Sequence, residues 1–135
     1  MWPVESFGLV VGLIGLSPRA TLLVAALLVL WVSGLLSALI DNIPYTAVTI
    51  PLVASLLGQL NSGADGQILW WALALGACLG GNGTLIGASA NLAVAGIAER
   101  NGVDFSFLTY TKHAFGLMLI SVGICHIYLW LRYLA

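Results

Sequence analysis

Two stretches of this 135-residue chain carry the residue types that hold ions: Asp41-Asn42-Ile43-Pro44, and Gly80 to Asn91, which reads Gly-Gly-Asn-Gly-Thr-Leu-Ile-Gly-Ala-Ser-Ala-Asn. Asp41 is an ionisable group between two long apolar stretches. Such a group is costly within a membrane and characteristically marks a transport path. Asn42 beside it offers an amide oxygen and nitrogen. A helix starting at Pro44 presents unpaired N–H groups that attract anions, and one ending before Asp41 leaves free carbonyls that attract cations. The competing reading is an ordinary turn in water, for which Asp-Asn-Ile-Pro is well suited.

The glycine-rich stretch combines poor helix formers with good ligands. A helix broken there supplies carbonyls to a cation and N–H groups to an anion, and Asn82, Thr84, Ser89 and Asn91 can add side-chain oxygens. The competing reading is close packing, because Gly76/Gly80 and Gly83/Gly87 fit the small-residue spacing of touching helices. Packing alone does not require the asparagines, and both roles can coexist. Asn82-Gly83-Thr84 also fits the N-glycosylation pattern, which its expected membrane depth makes spurious. His126, inside the last apolar segment, is expected to be a hydrogen-bonded packing histidine rather than a proton relay. Neither a glycine-flanked nucleophilic serine, nor a metal-spaced histidine pair, nor a phosphate loop is present, so neither catalysis nor a cofactor is expected.

The elements that position these residues must lie in lipid. The chain is 61% hydrophobic and 7% charged, with a mean hydropathy of +1.07; a water-soluble domain carries roughly 25% charged residues. Uncharged stretches separate the few charges: 20–40, 42–64, 66–98 and 113–131. Each approaches or exceeds the ~20 apolar residues that cross a bilayer. A net charge of −1 argues against nucleic acid as a partner. Cys78 and Cys125 fall in apolar stretches and are expected to be small buried hydrophobes, not a disulfide pair. The start of the chain lacks the basic n-region of a cleaved signal peptide.

The reading along the chain is a single all-α membrane domain over 1–135. Residues 7–16 look like the tail of a helix. Residues 20–60 form a helical hairpin with its tip at 41–46, where Pro44 can open the second arm. From Tyr45 to Leu60 that arm is only about 24 Å long and contains Pro51, so a re-entrant hairpin competes with two full spans. The 33 residues from Gly66 to Ala98 would make a helix of about 50 Å, too long for one crossing. A broken helix over 67–98, unwound near 80–91, resolves the excess, since backbone can unwind at membrane depth where protein or a wet cavity satisfies it. A polar loop over 99–112 leads to a final transmembrane helix over 114–132. Tyr128, Trp130 and Tyr133, like Trp70 and Trp71, suit the membrane interfaces. Arg19 and Arg132 fall on one face, Arg100 and Lys112 on the other.

Ser37-Ala38-Leu39-Ile40-Asp41-Asn42-Ile43-Pro44-Tyr45-Thr46-Ala47, together with Gly76 to Asn91, resembles the arsenite-permease family of the ion transporter superfamily, which has citrate transporter-like domains. The likeness is strongest to the branch containing the melanosomal P protein, and Gly96 to Arg100 and Phe105 to Phe107 continue it. The resemblance implies one of two inverted repeats, each with a re-entrant hairpin and a discontinuous helix whose tips meet at the substrate and cation sites. It implies the C-terminal part of an ion-coupled secondary transporter, an anion or cation/proton permease working by alternating access in a cell membrane. The alternative is a truncated, non-transporting membrane protein or assembly subunit. The residues implied for ion and substrate are Asp41, Asn42, Thr46, Asn82, Gly83, Thr84, Ser89 and Asn91, with Asp41, Asn42 and Asn91 as candidate Na+ ligands. The coupling ion is Na+ or H+. The partners implied are a small inorganic or organic ion, the lipid bilayer, an N-terminal repeat and a second copy of the chain in a homodimer. Dicarboxylate carriers of the superfamily have Ser-Asn-Thr at the hairpin tip. Here Asp41 and Ile43 replace the serine and threonine, so the tip favours cation or proton coupling over binding a dianion.

Overall fold

The structure, a computed structural model, describes Gly15, residues 17–60 and residues 63–134. The described residues form five α-helices and one 3-10 turn joined by short non-helical segments: α1 (Pro18–Ser37), α2 (Asn42–Leu60), a 3-10 turn (Gly63–Gly66), α3 (Gln67–Gly80), α4 (Ser89–Arg100) and α5 (Phe107–Leu134). Three of these, α1, α2 and α5, are long and apolar enough to cross a membrane. The helix expected over 7–16 lies outside the described residues except for Gly15.

Each boundary has a local cause. Ser17 caps α1, its hydroxyl accepting from the Ala20 N–H at 3.3 Å, and Pro18 follows in the first turn, where its missing N–H costs nothing. α2 begins at Asn42, two residues before the expected Pro44, because the Asp41 side chain caps it. Pro51 lies inside α2, which continues through it. α4 ends where Gly102 adopts φ +77°. The Gly102 and Val103 N–H groups then donate back to the Glu99 and Ala98 carbonyls, both at 3.0 Å, in a Schellman arrangement. α5 starts seven residues before the expected 114, since the Tyr110 N–H already donates to the Ser106 carbonyl. At about 42 Å, α5 exceeds the hydrocarbon thickness and can carry Lys112 in its second turn.

α1 and α3 run side by side and form the centre of the bundle, with α5 packed across both and α2 against α3. The contact is close because its residues are small. A Cβ on Gly80 would overlap the Gly34 backbone, and one on Gly76 would lie 2.8 Å from the Ser33 Cβ. The close-packing reading of the Gly76/Gly80 pair therefore holds. Lipid tails give no hydrophobic reward for helix association, so such steric fit and interhelical hydrogen bonds hold the bundle. Ser37 Oγ donates to the Ala77 carbonyl at 2.7 Å in a buried site, and the Tyr45 hydroxyl donates to Ser33 Oγ at 3.0 Å. Trp31 Nε1 donates to His126 Nδ1 at 3.0 Å, fastening α1 to α5. Cys125 is half-buried, whereas Cys78 is exposed, contrary to the expected burial. Gly76, Ala77 and Gly80 are buried while Cys78 lies on the opposite side of α3, in an open cleft with Ile43 and Thr46.

Candidate functional site

The Asp41 carboxylate joins the two polar stretches. Its Oδ1 accepts from the Ile43 N–H at 3.1 Å, at the start of α2. Its Oδ2 accepts from the Ser89 N–H at 2.9 Å and from the Ser89 hydroxyl, at the start of α4. One carboxylate thus caps two helix N-termini, the second of them at Ser89, 48 positions from Asp41 in sequence. All three partners are donors, which suits an ionised carboxylate, an acceptor only. The positive ends of two helix dipoles meet there.

Residues 81–88 cross between α3 and α4 without helical structure, and the hairpin tip closes over them. Thr84 is buried, donates its hydroxyl to the Ala38 carbonyl, and accepts at the same oxygen from the Gly87 N–H at 3.1 Å. Asn91, in the first turn of α4, reaches back: its Nδ2 donates to the carbonyls of Gly81 (3.0 Å) and Thr84 (3.1 Å). Two carbonyls on one side fix which end of the amide is nitrogen. Carbonyl oxygens crowd Gly87, where a Cβ would lie 2.7 Å from Gly81 O, 2.9 Å from Ser37 O and 3.1 Å from Ala38 O. Backbone carbonyls from the ends of α1 and α3 therefore gather around Gly87, and Asp41 brings the N-terminal ends of α2 and α4 together.

The remaining predicted residues fall around this centre unevenly. Asn42 is half-buried, with its Nδ2 close to Gly81. Thr46 donates its hydroxyl to the Asn42 carbonyl at 2.7 Å within α2 and lines the cleft with Cys78. Gly83 packs between the Met118 and Ala38 side chains. Asn82 is exposed, and its carbonyl, not its side chain, is engaged, by the Tyr110 hydroxyl at 3.4 Å. Sequence reasoning missed Tyr45, whose position one turn after Asp41 was its only signal, and Ser37, hidden in an apolar run. Among the described residues, no group of three or more His, Cys, Asp or Glu could hold a metal ion.

Apolar helices of spanning length around a polar break and a carboxylate-bearing tip define a helical membrane protein. A model of the citrate transporter family matches residues 4–76, and the chain belongs to that family. It is 51% identical to the human P protein over 118 residues, 85% of this chain and 14% of that one. A 46 kDa membrane protein of Mycobacterium leprae is 46% identical over 112 residues, 83% of this chain and 26% of the relative. An uncharacterized transporter of Mycobacterium tuberculosis is 48% identical over 108 residues, 80% of this chain and 25% of the relative. The chain thus spans between 14% and 26% of the length of these relatives. No solved structure matches it.

Proposed function

We propose that this chain forms the C-terminal half of the transport site of an ion-coupled carrier, working by alternating access, with the 41–46 tip lying inside the membrane. The observation that carries the reading is the single Asp41 carboxylate capping both α2 and α4. The built-in anion occupies the donors that an anionic solute would need. Neutralising Asp41 with a proton or Na+ frees those N–H groups, and the carbonyls around Gly87 offer oxygen to a cation. Coupling follows, because the solute and the carboxylate compete for one set of donors.

Membrane depth is supported by α5. Gly83 packs on Met118, so Phe107 to Leu117 extends about 16 Å beyond the break. A tip at the level of Met118 is well short of the far end of the bundle. The second half of the site is assigned to an N-terminal repeat, as the short coverage of the relatives suggests.

The test is flux into proteoliposomes under an imposed Na+ or pH gradient, for the chain alone and joined to the N-terminal part of a P protein relative. Radiolabelled citrate, arsenite and chloride would serve as solutes. The joined form is expected to transport, and Asp41→Asn to abolish gradient-driven uptake while leaving the protein folded. Uptake that Asp41→Asn and Ser89→Ala leave unchanged would overturn the site. A joined form inert to every solute and gradient would favour a non-transporting subunit.

A further inference from the structure

At the opposite end of the bundle from α4, α1, α3 and α5 surround a cavity of about 390 Å³. Arg19, Asp65, Gln67, Arg132 and Tyr133 supply its polar lining. The proposed transport site does not use it, being separated from it by most of the length of α3. Arg19 lies 3.9 Å from Asp65, an exposed pair worth little in water, and among the described residues the lining carries two guanidinium groups against one carboxylate, a net positive charge. The Arg132 guanidinium rests 5.7 Å from the centre of the Tyr133 ring.

A second opening continues from the first. Gln67, Arg132 and Tyr133 line both, and from them a groove runs between α3 and α5 past Leu75, Cys125 and Leu129, rimmed by Trp71 and Tyr128. Gln67, Trp71 and Leu75 recur every four residues on α3; Tyr133, Leu129 and Cys125 do the same on α5. Each stripe therefore descends about 12 Å toward the bilayer centre. A cationic, amide-bearing mouth above an apolar channel with aromatic rims has the polarity sequence of a phospholipid. Arginine forks match phosphate oxygens two at a time, and tyrosine and tryptophan settle at headgroup level.

We infer that the cavity and groove bind one anionic phospholipid of the adjacent leaflet, its phosphate between Arg19 and Arg132 and an acyl chain along Leu75, Cys125 and Leu129. Charge complementarity selects the occupant, because a zwitterionic lipid brings a cationic headgroup beside two arginines. This inference does not depend on the transport reading.

The test is native mass spectrometry of the purified chain, with thermal melting of delipidated protein supplied with phosphatidylglycerol, phosphatidylcholine or inorganic phosphate. Phosphatidylglycerol is expected to be retained at one per chain and to raise the melting temperature. Arg19→Gln with Arg132→Gln should weaken that binding about tenfold or more, through lost charge-assisted hydrogen bonds. Arg132→Lys should retain part of it, and Arg100→Gln at the far end should change nothing. Cys125→Trp, which fills the groove and spares the arginines, should reduce retention on its own. Equal binding of the two lipids, binding indifferent to both arginines, or an equal shift with inorganic phosphate alone would overturn the inference.

Discussion

At the scale of single residues, the break is held by side chains that each satisfy more than one backbone group. Asp41 closes two helix starts, Thr84 links an α1 carbonyl to the Gly87 N–H, and Asn91 closes the loop onto itself. Gly87 is the tightest point, because any Cβ there meets three carbonyl oxygens. Gly87→Ala is therefore expected to destabilise the folded chain by about 1–3 kcal/mol as overpacking, whereas Gly96→Ala, with open space around it, should be neutral or slightly stabilising. Thermal melting in detergent compares the two, and equal melting temperatures would contradict the crowding. Thr84→Val keeps the shape and removes the hydroxyl. It should cost about 1–3 kcal/mol by leaving a buried carbonyl unpaired, while Thr84→Ser should lose far less. Residue types alone pointed to Asp41, Thr84, Ser89 and Asn91, since polar groups amid apolar sequence need a reason. They could not say that Ser89 meets Asp41 while Asn82 faces outward, because that depends on how the hairpin docks.

Helices were legible where length and punctuation agreed. The arms of the hairpin and the interruption of the third segment followed from Pro44, the glycines and the excess length of the 66–98 stretch. The start of α5 was not, because Thr109 and Lys112 read as loop by polarity, although a helix emerging from lipid can carry them. The exposure of Cys78 was hidden for a related reason: in a membrane protein an apolar stretch does not tell the packed face from the lipid face. Packing between elements gives a prediction at this scale. Gly80→Ala should force α1 from α3, since the added methyl overlaps the Gly34 backbone, and lower the melting temperature. Gly58→Ala, where space is open, should not. Trp31→Phe keeps an aromatic ring but loses the bond to His126 and part of the indole packing. The lost bond is expected to cost about 1 kcal/mol, so the substitution should cost less when His126→Phe is already present. Additive losses in that double-mutant cycle would show that the contact does not couple α1 to α5.

For the whole molecule, the decisive quantity is the depth of the hairpin tip. Arg19 and Arg132 line one cavity at one end, and Arg100 ends α4 at the other, with the tip and break between them. Ile43 is 73% exposed beside the cleft that holds Thr46 and Cys78, a surface that a docking repeat would cover and a turn in water would leave open. Cysteine at Ile43 separates these. In a chain with Cys78→Ala and Cys125→Ala, reconstituted alone and with the N-terminal part of a relative, Ile43→Cys should react slowly with a membrane-impermeant maleimide from at least one side. In the joined form its rate should change on adding Na+ or lowering the pH, because neutralising Asp41 loosens the bonds that hold the tip to α4. The sign follows from those bonds: released from Ser89, the tip becomes more accessible. Ala64→Cys, in the exposed turn beside α3, should label quickly and indifferently to ions. Rates at Ile43→Cys as fast and as ion-independent as that control would place the tip in bulk water, and Asp41 would then be a turn residue and nothing more.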